Sequence, residues 1–195
     1  MAPFAKPGRP ATCAARFLPG VALAVAVTTA TLAVPPASPA PAPVPERSAR
    51  DLERRQRIDA MYEEYREAFP DVPDVTAREL LEADAAARPV LVDVRPEDER
   101  AVSTIPGAIA LDDLEASGDA YRGHRIVCFC TVGYRSGRAA AELRRDGWDA
   151  ANLAGSLLAW VDEGGPLVDA NGPTRRVHVY GERWSLLPSG YEPVW

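Results

Sequence analysis

The stretch CTVGYRSG, at positions 130–137, combines a cysteine with residue types that can make its sulfur reactive. A thiol is a nucleophile only as the thiolate, so its pKa must be lowered. No histidine adjoins Cys130 in the sequence to take the proton. If residues 131–136 curl around the sulfur, inward backbone N–H groups and the start of a helix near Arg135 would hold its negative charge. The stretch therefore predicts a nucleophilic cysteine in an anion-binding loop.

Two further features of the loop fit this chemistry. Gly133 lets the backbone turn tightly without a Cβ clash. Arg135 and Arg138 place positive charge in an otherwise acidic protein, which would attract an anionic substrate. Cys128 lies inside an apolar run and is predicted to be a small core residue. The competing interpretation is that Cys130 is also an unreactive core cysteine.

Composition indicates a soluble globular protein of one domain plus additional segments. Apolar residues make up 47% and charged residues 26% of the 195 residues, and the formal net charge is -6. Three of the 22 Lys and Arg residues lie in residues 1–45, which contain no acid, so the remainder is more acidic still. This charge disfavours nucleic-acid binding. The three cysteines and two histidines show no metal-ligand spacing and no disulfide framework. We therefore predict neither a metal site nor a cofactor.

The first 34 residues have the pattern of a secretory signal or a membrane anchor. A basic head is followed by FLPGVALAVAVTTATLAV, residues 17–34, which carries no charge. Positive charge stays in the cytoplasm, so everything after it would be extracytoplasmic, either periplasmic, secreted or anchored facing outside. Residues 35–46 are predicted to be an extended Pro-rich linker.

Residues 47–74 are predicted to form an amphipathic helix and a connector. Ile58, Met61, Tyr62, Tyr65 and Phe69 recur at three- and four-residue spacing over 47–69 and form one apolar stripe. We expect this stripe to pack on the domain, because amphipathic helices usually cover a core; a partner surface is the alternative.

Strands and helices alternate through the middle of the chain. A capping box at Thr76 and Glu79 predicts a short helix. Buried strands are predicted at 89–95 and 125–130, and short strands after a turn in 105–111 and in DAANLAG. Helices are predicted in RSGRAAAELRRDG and SLLAWVDEG. This order predicts an α/β fold with a small, mostly parallel sheet flanked by helices. Such sheets bind ligands at the carboxyl ends of their strands, where Cys130 would lie.

The C-terminal segment, residues 169–195, is predicted to be an extension packed on the domain. It contains Tyr180, Trp184, Tyr191 and Trp195 and alternates at first, which favours a β-hairpin or meander. We expect these aromatic side chains to belong to the core, with a lid or substrate surface as the alternative.

Four motifs in order give the chain a resemblance to a known family. LVDVR at 91–95, IPGAI at 105–109, CTVGYRSG, and NLAGSLLAW at 152–160 together resemble a single-domain rhodanese over 75–168. The resemblance implies a sulfurtransferase. Cys130 would take up a sulfane sulfur as a persulfide and pass it to a nucleophile such as cyanide or a thiol.

The resemblance also implies roles for residues around the cysteine. The substrate would lie in a cradle formed by Thr131, Val132, Gly133, Tyr134 and Arg135. Loop support is expected from three more residues: Asp93, Arg95 and Ser136. In particular, Asp93 is expected to pair with Arg135 and hold the loop in place.

Two other functions stay open from the sequence. In the related cell-cycle dual-specificity phosphatases, five residues separate the cysteine from the arginine, whereas four separate Cys130 from Arg135. The tighter loop favours a sulfur atom over a phosphoryl group. The second alternative is a non-catalytic rhodanese-like module that binds a partner or carries a redox state. The favoured partners are a small anionic sulfur donor, such as thiosulfate, and a small thiol or protein thiol as acceptor, without nucleic acid.

Overall fold

A computed structural model describes residues 47–84 and 87–195 of the chain. The predicted signal or anchor and the Pro-rich linker, residues 1–46, lie outside the described residues, so those interpretations and the extracytoplasmic location stay predictions. Within the described ranges, no helix has the length and apolar character needed to cross a membrane.

A five-stranded, wholly parallel sheet forms the centre of the domain. Its strands are β1 (Asp74–Val75), β2 (Val90–Asp93), β3 (Ile109–Ala110), β4 (Ile126–Phe129) and β5 (Ala150–Leu153). They lie in the order β1-β5-β4-β2-β3, and each neighbouring pair is parallel. The predicted α/β fold with a mostly parallel sheet is confirmed. The edge strand β1 was not predicted, because two residues are too few to show an alternating pattern.

Six α-helices accompany the described strands. They are α1 (Ala49–Arg66), α2 (Ala77–Glu82), α3 (Glu97–Val102), α4 (Leu111–Ala116), α5 (Tyr134–Arg145) and α6 (Ser156–Asp162). The predicted capping box opens α2, since the Thr76 hydroxyl accepts from the Glu79 N–H and the Glu79 carboxylate accepts from the Thr76 N–H. The predicted stop of α5 is also confirmed, because Gly147 adopts a left-handed φ of 83° just beyond its end.

The central strand β4 is buried on both faces, as expected for a parallel sheet covered by helices. Val127 and Phe129 point into a core cluster shared with α2 and α6. Ile126 and Cys128 point into a second cluster shared with α4 and α5. Because β4 is central, Cys130, the residue after Phe129, is held at the middle of the sheet's carboxyl edge.

Helix α1 packs on the domain through its predicted apolar stripe. Ile58, Met61 and Tyr62 are buried, so the expectation that the stripe covers the core is confirmed. The helix ends at Arg66, earlier than predicted, because Phe69 precedes Pro70 and the residue before a proline disfavours helical backbone. An ion pair also ties α1 to α6, with Arg54 Nε 2.8 Å from Asp162 Oδ1.

The C-terminal segment differs from the predicted meander. Strands β6 (Leu167–Asp169) and β7 (Gly172–Thr174) form an antiparallel hairpin. Strands β8 (Arg176–His178) and β9 (Glu192–Val194) instead pair in parallel, so that part of the prediction is wrong. A loop containing a short 3₁₀ helix, Glu182–Trp184, leads from β8 round to β9 and makes this pairing parallel.

Phe69, which follows α1, approaches Gly137 of α5 closely, and this contact allows a test of how tightly the two segments pack. A Cβ at Gly137 would overlap the Phe69 ring, which is buried. Alanine favours a helix by about 1 kcal/mol over glycine. We nevertheless expect Gly137→Ala to lower the free energy of unfolding by about 1–3 kcal/mol in urea denaturation, because overpacking a core costs that much.

Phe69→Leu in the same chain provides the control for this experiment. It makes room above Gly137, so the double variant should lose less than the two single changes together. A Gly137→Ala protein that is more stable than the parent would contradict the close packing.

Candidate active site

Two free cysteines lie at the end of the central strand, and their surroundings differ. Cys128 is fully buried, and this burial, with a contribution from nearby Cys130, raises its pKa to about 12. The prediction that Cys128 is a core residue is confirmed. Cys130 is only 2% exposed, but it lines a cavity of about 400 Å³. Its side chain is thus covered on most sides and faces one pocket that opens to the surface.

The sulfur of Cys130 accepts hydrogen bonds from the loop that follows it. The Gly133 N–H lies 3.2 Å from Sγ, and the Ser136 hydroxyl lies 3.5 Å from it. Gly133 has a left-handed φ of 113°, which turns the backbone back toward the cysteine and is strained for other residues. Helix α5 then begins at Tyr134, so the positive end of its dipole is next to the loop.

These contacts lower the pKa of Cys130 below its usual value. Burial alone acts the other way, because it disfavours the charged thiolate. The Ser136 hydroxyl and backbone N–H, the charge of Arg135 and the Gly133 N–H outweigh it. The geometry therefore favours the thiolate, which is the form that a nucleophile requires.

Ser156 is a member of the site that sequence reasoning did not identify. Its Oγ accepts from the Cys130 N–H at 3.0 Å, lies 3.3 Å from Ser136 Oγ, and donates to the Leu153 carbonyl at 3.2 Å. Ser156 is also the only non-glycine residue with positive φ in the described chain, at 47°. Such backbone strain persists only where surrounding contacts fix it. Ser156 lies within the motif NLAGSLLAW, but nothing in that motif indicates that its hydroxyl turns toward the cysteine loop.

Arg135 pairs with Glu99 and not with Asp93, so the expected Asp93–Arg135 pair is wrong. Nη1 and Nη2 of Arg135 lie 2.7 Å from Oε1 and Oε2 of Glu99, respectively. Glu99 belongs to α3 and is 5% exposed. The Arg135 guanidinium also lies 4.8 Å from the centre of the Tyr180 ring. Its charge is thus compensated by a buried carboxylate and an aromatic face.

Asp93 is unavailable to Arg135 because closer groups use both of its oxygens. Arg95 Nε and Nη2 bind its carboxylate at 2.9 and 2.7 Å, and the Thr104 hydroxyl donates to it at 2.7 Å. Arg95 Nη2 also donates to the Ser103 carbonyl at 2.6 Å. Asp93 and Arg95 therefore support the connection between α3 and β3, and not the cysteine loop.

The remaining predicted loop residues have different surroundings. Thr131 is fully buried and its Oγ1 accepts from Arg135 Nη2 at 3.4 Å, whereas Val132 is 5% exposed. Both line the cavity, as does Tyr134, which is half-exposed. Arg138 is exposed and does not line it. The loop charge near the sulfur therefore comes from Arg135.

Aromatic rings from three parts of the chain wall the cavity. Tyr65 comes from α1, Tyr134 from the start of α5, and Tyr180 and Trp184 from the C-terminal segment. Tyr65 packs on Tyr134 with ring centres 5.5 Å apart, and Tyr180 packs on Trp184 at 5.8 Å. We expected the aromatic residues of the tail to belong to the core. That is wrong for Tyr180, which is 49% exposed and faces the cavity, and for Trp195, which is 71% exposed.

A second cavity, of about 410 Å³, lies near the amino end of β2. Its lining includes Leu80, Val90 and Trp160 but no cysteine. Within residues 47–84 and 87–195, no group of three or more His, Cys, Asp or Glu side chains is arranged to hold a metal ion.

The fold and this site define a class: an α/β domain with a cysteine, held in a loop of hydrogen-bond donors, at the carboxyl end of its central parallel strand. Residues 76–163 match the family model of the rhodanese-like domain. These residues therefore form one rhodanese-like domain, which makes up a little less than half of the chain.

The curated proteins that resemble the chain in sequence are named for tRNA hydroxylation and not for sulfur transfer. The "tRNA uridine(34) hydroxylase" of Xanthomonas euvesicatoria pv. vesicatoria is 34% identical over 132 residues, which are 61% of this chain and 52% of that protein. The counterpart in Xanthomonas oryzae pv. oryzae is 33% identical over the same length. The chain spans about half the length of the curated relatives it matches.

Solved structures were also compared with the chain. A thiosulfate sulfurtransferase from Pseudomonas aeruginosa is 24% identical with a TM-score of 0.48, covering 58% of this chain and 23% of that one. A rhodanese-like domain protein from Staphylococcus aureus is 29% identical with a TM-score of 0.40, covering 48% of this chain and 96% of that one.

The Arg135–Glu99 pair leads to a prediction about the Cys130 thiol. Glu99→Gln removes the negative charge that compensates Arg135, so the guanidinium should stabilise the thiolate more strongly and the pKa of Cys130 should fall further. We expect the thiolate titration to move to lower pH. The measurement is the ultraviolet thiolate absorbance against pH, with the Cys130→Ser protein subtracted to remove the other cysteines.

Asp59→Asn is a charge-matched control for this titration. Asp59 is exposed and pairs with Arg55 on the surface of α1, with Arg55 Nε 2.8 Å from Asp59 Oδ1. It should leave the Cys130 titration where it is. A titration that does not move in Glu99→Gln either would show that Glu99 does not control the charge near the sulfur.

Proposed function

We propose that the protein is a sulfurtransferase that carries a sulfane sulfur on Cys130. The observation that supports this most directly is the set of contacts on the sulfur, where the Gly133 N–H and the Ser136 hydroxyl point at Sγ. These donors stabilise a thiolate and equally the terminal sulfur anion of a persulfide that takes its place in the loop.

The proposed reaction has two steps. The Cys130 thiolate attacks the outer sulfur of thiosulfate; a sulfur–sulfur bond forms to Cys130, the sulfur–sulfur bond of thiosulfate breaks, and sulfite leaves with the electron pair. The acceptor, cyanide or a thiol, then attacks the outer sulfur of the persulfide. It takes that sulfur and releases the Cys130 thiolate. No external oxidant or reductant is needed in either step.

The loop and its charges assign roles to the neighbouring residues. Gly133, Ser136 and the start of α5 would hold the negative charge of the persulfide. Arg135, fixed by Glu99 and in contact with Thr131, would face the anionic donor as it enters. Ser156 would act as a positioning residue, because it binds the Cys130 N–H and touches Ser136.

Two other activities are less well supported by this chain. The four residues between Cys130 and Arg135, and the bidentate use of Arg135 by Glu99, leave the arginine poorly placed to wrap a phosphoryl group. The curated relatives are named for hydroxylation of a tRNA uridine, but the match covers only about half of their length. The net charge of -6 gives little attraction to RNA.

Sulfur transfer predicts a specific loss in a cysteine variant. Thiocyanate formation from thiosulfate and cyanide should fall to the uncatalysed background in Cys130→Ser, because serine at that position cannot form a persulfide. Mass spectrometry after thiosulfate alone should find one added sulfur on the peptide that contains Cys130.

Cys128→Ser is the matched control, since Cys128 lies two residues away and is buried with a raised pKa. It should keep the sulfur adduct and most of the activity. Equal activity of Cys130→Ser and the parent protein would remove Cys130 from the mechanism. A parent protein that gains no sulfur would favour a non-catalytic binding module.

A further inference from the structure

The cavity above Cys130 is large for the simplest sulfur acceptors. Its volume of about 400 Å³ is within the range of about 300–1,000 Å³ that is usual for organic ligands. Cyanide would occupy a small fraction of this space, and so would make few contacts with its walls. The size of the cavity therefore indicates an acceptor with an organic body attached to its reacting atom.

The walls of the cavity indicate what kind of body that is. Four aromatic side chains line it in two packed pairs, Tyr65 with Tyr134 and Tyr180 with Trp184. Tyr180 and Trp184 lie outside the segment that matches the rhodanese-like domain, residues 76–163, as does Tyr65. Aromatic walls favour apolar and planar groups, which they contact by offset or edge-on packing.

The charges around the cavity do not favour a strongly anionic body. Among the described residues, Arg135 is the only Lys, Arg or His side chain that lines it. Its guanidinium is already bound by both oxygens of Glu99 and packed over Tyr180. A bulky anion would have to compete with Glu99 for this one cation, whereas an uncharged aromatic group would not.

We propose that the sulfur acceptor is a thiol attached to an apolar, aromatic body that binds between these rings. This inference rests on the proposed sulfurtransferase function and names the substrate class of its second step. The thiol sulfur of R–SH attacks the outer sulfur of the Cys130 persulfide. R–S–SH forms as the thiol proton passes to the transferred outer sulfur, the sulfur–sulfur bond to Cys130 breaks, and Cys130 keeps its electron pair and returns to the thiolate.

The kinetic test compares two thiols of similar acidity, benzyl mercaptan and 2-mercaptoethanol. Protein loaded with sulfur from thiosulfate is freed of excess donor, mixed with either thiol, and followed by intact mass as Cys130 loses its added sulfur. Benzyl mercaptan should discharge it about tenfold faster, since an aromatic contact is worth up to about that factor in rate. Equal rates would overturn the proposal while leaving the sulfurtransferase function intact.

Two variants of Tyr180 distinguish direct contact between its ring and the acceptor from an indirect effect through Arg135. Tyr180→Ser should lower the ratio of the two rates several-fold, and Tyr180→Phe should keep it. If Tyr180→Ser changed both rates in proportion, the ring would serve only to support Arg135 and the proposal would fail. Trp195→Ser is the control, because Trp195 is an aromatic residue of the same segment that is 71% exposed and does not line the cavity.

A binding experiment tests the cavity even if no sulfur is loaded. Benzyl methyl sulfide, which cannot accept sulfur as a thiol does, should bind saturably to the unloaded protein and shift the NMR indole resonance of Trp184. Absence of saturable binding would overturn the proposal. Saturable binding to a protein that takes up no sulfur from thiosulfate would support the ligand class of the cavity and count against the sulfurtransferase function, so the two failures are distinct.

Discussion

The structure depends on keeping negative charge on a sulfur that is almost wholly buried. Burial opposes the thiolate, yet it also strengthens each hydrogen bond made to it, because the surroundings have a low dielectric constant. A buried anion is therefore tolerated only where donors are already in place. The Gly133 N–H and the Ser136 hydroxyl are those donors, and Ser156 fixes the Cys130 N–H from the other side. A small displacement of this loop would leave the charge without partners.

Much of what holds the loop comes from outside the matched rhodanese-like segment. The Tyr62 ring of α1 packs against Gly133 so closely that a Cβ there would lie 2.6 Å from Tyr62 Cε2. Asn152 of β5 joins the two, since its Nδ2 donates to the Gly133 carbonyl and to the Tyr62 hydroxyl, at 3.0 Å each. The Tyr62 hydroxyl in turn donates to Asp74. The backbone turn that directs the Gly133 N–H at the sulfur packs against Tyr62 of α1. Helix α1 therefore helps to support the site.

The sequence was most informative where local patterns decide the outcome. The apolar run before Cys130 predicted a buried strand, the capping box at Thr76 predicted a helix start, and Gly133 predicted a tight turn. Pairings between distant side chains could not be predicted in this way. Three acids follow one another at the start of α3, and only the tertiary packing decides that Glu99 is the one that turns inward to Arg135. The parallel pairing of β8 with β9 likewise depends on the path of a loop, which alternation does not encode.

The Arg135–Glu99 pair changes how the site can discriminate between ligands. An arginine beside the cysteine suggests a positively charged cradle, but a buried carboxylate bound through both oxygens offsets part of that charge. His178 of β8 approaches the same carboxylate, with Nδ1 3.5 Å from Glu99 Oε2, so the C-terminal segment contacts the charge pair as well as the cavity wall. With the net charge near the sulfur reduced, the shape and the aromatic surface of the cavity would carry more of the selectivity in the proposed sulfur transfer. The C-terminal segment supplies Tyr180 and Trp184 to that surface, so it would contribute to ligand choice as well as to the core.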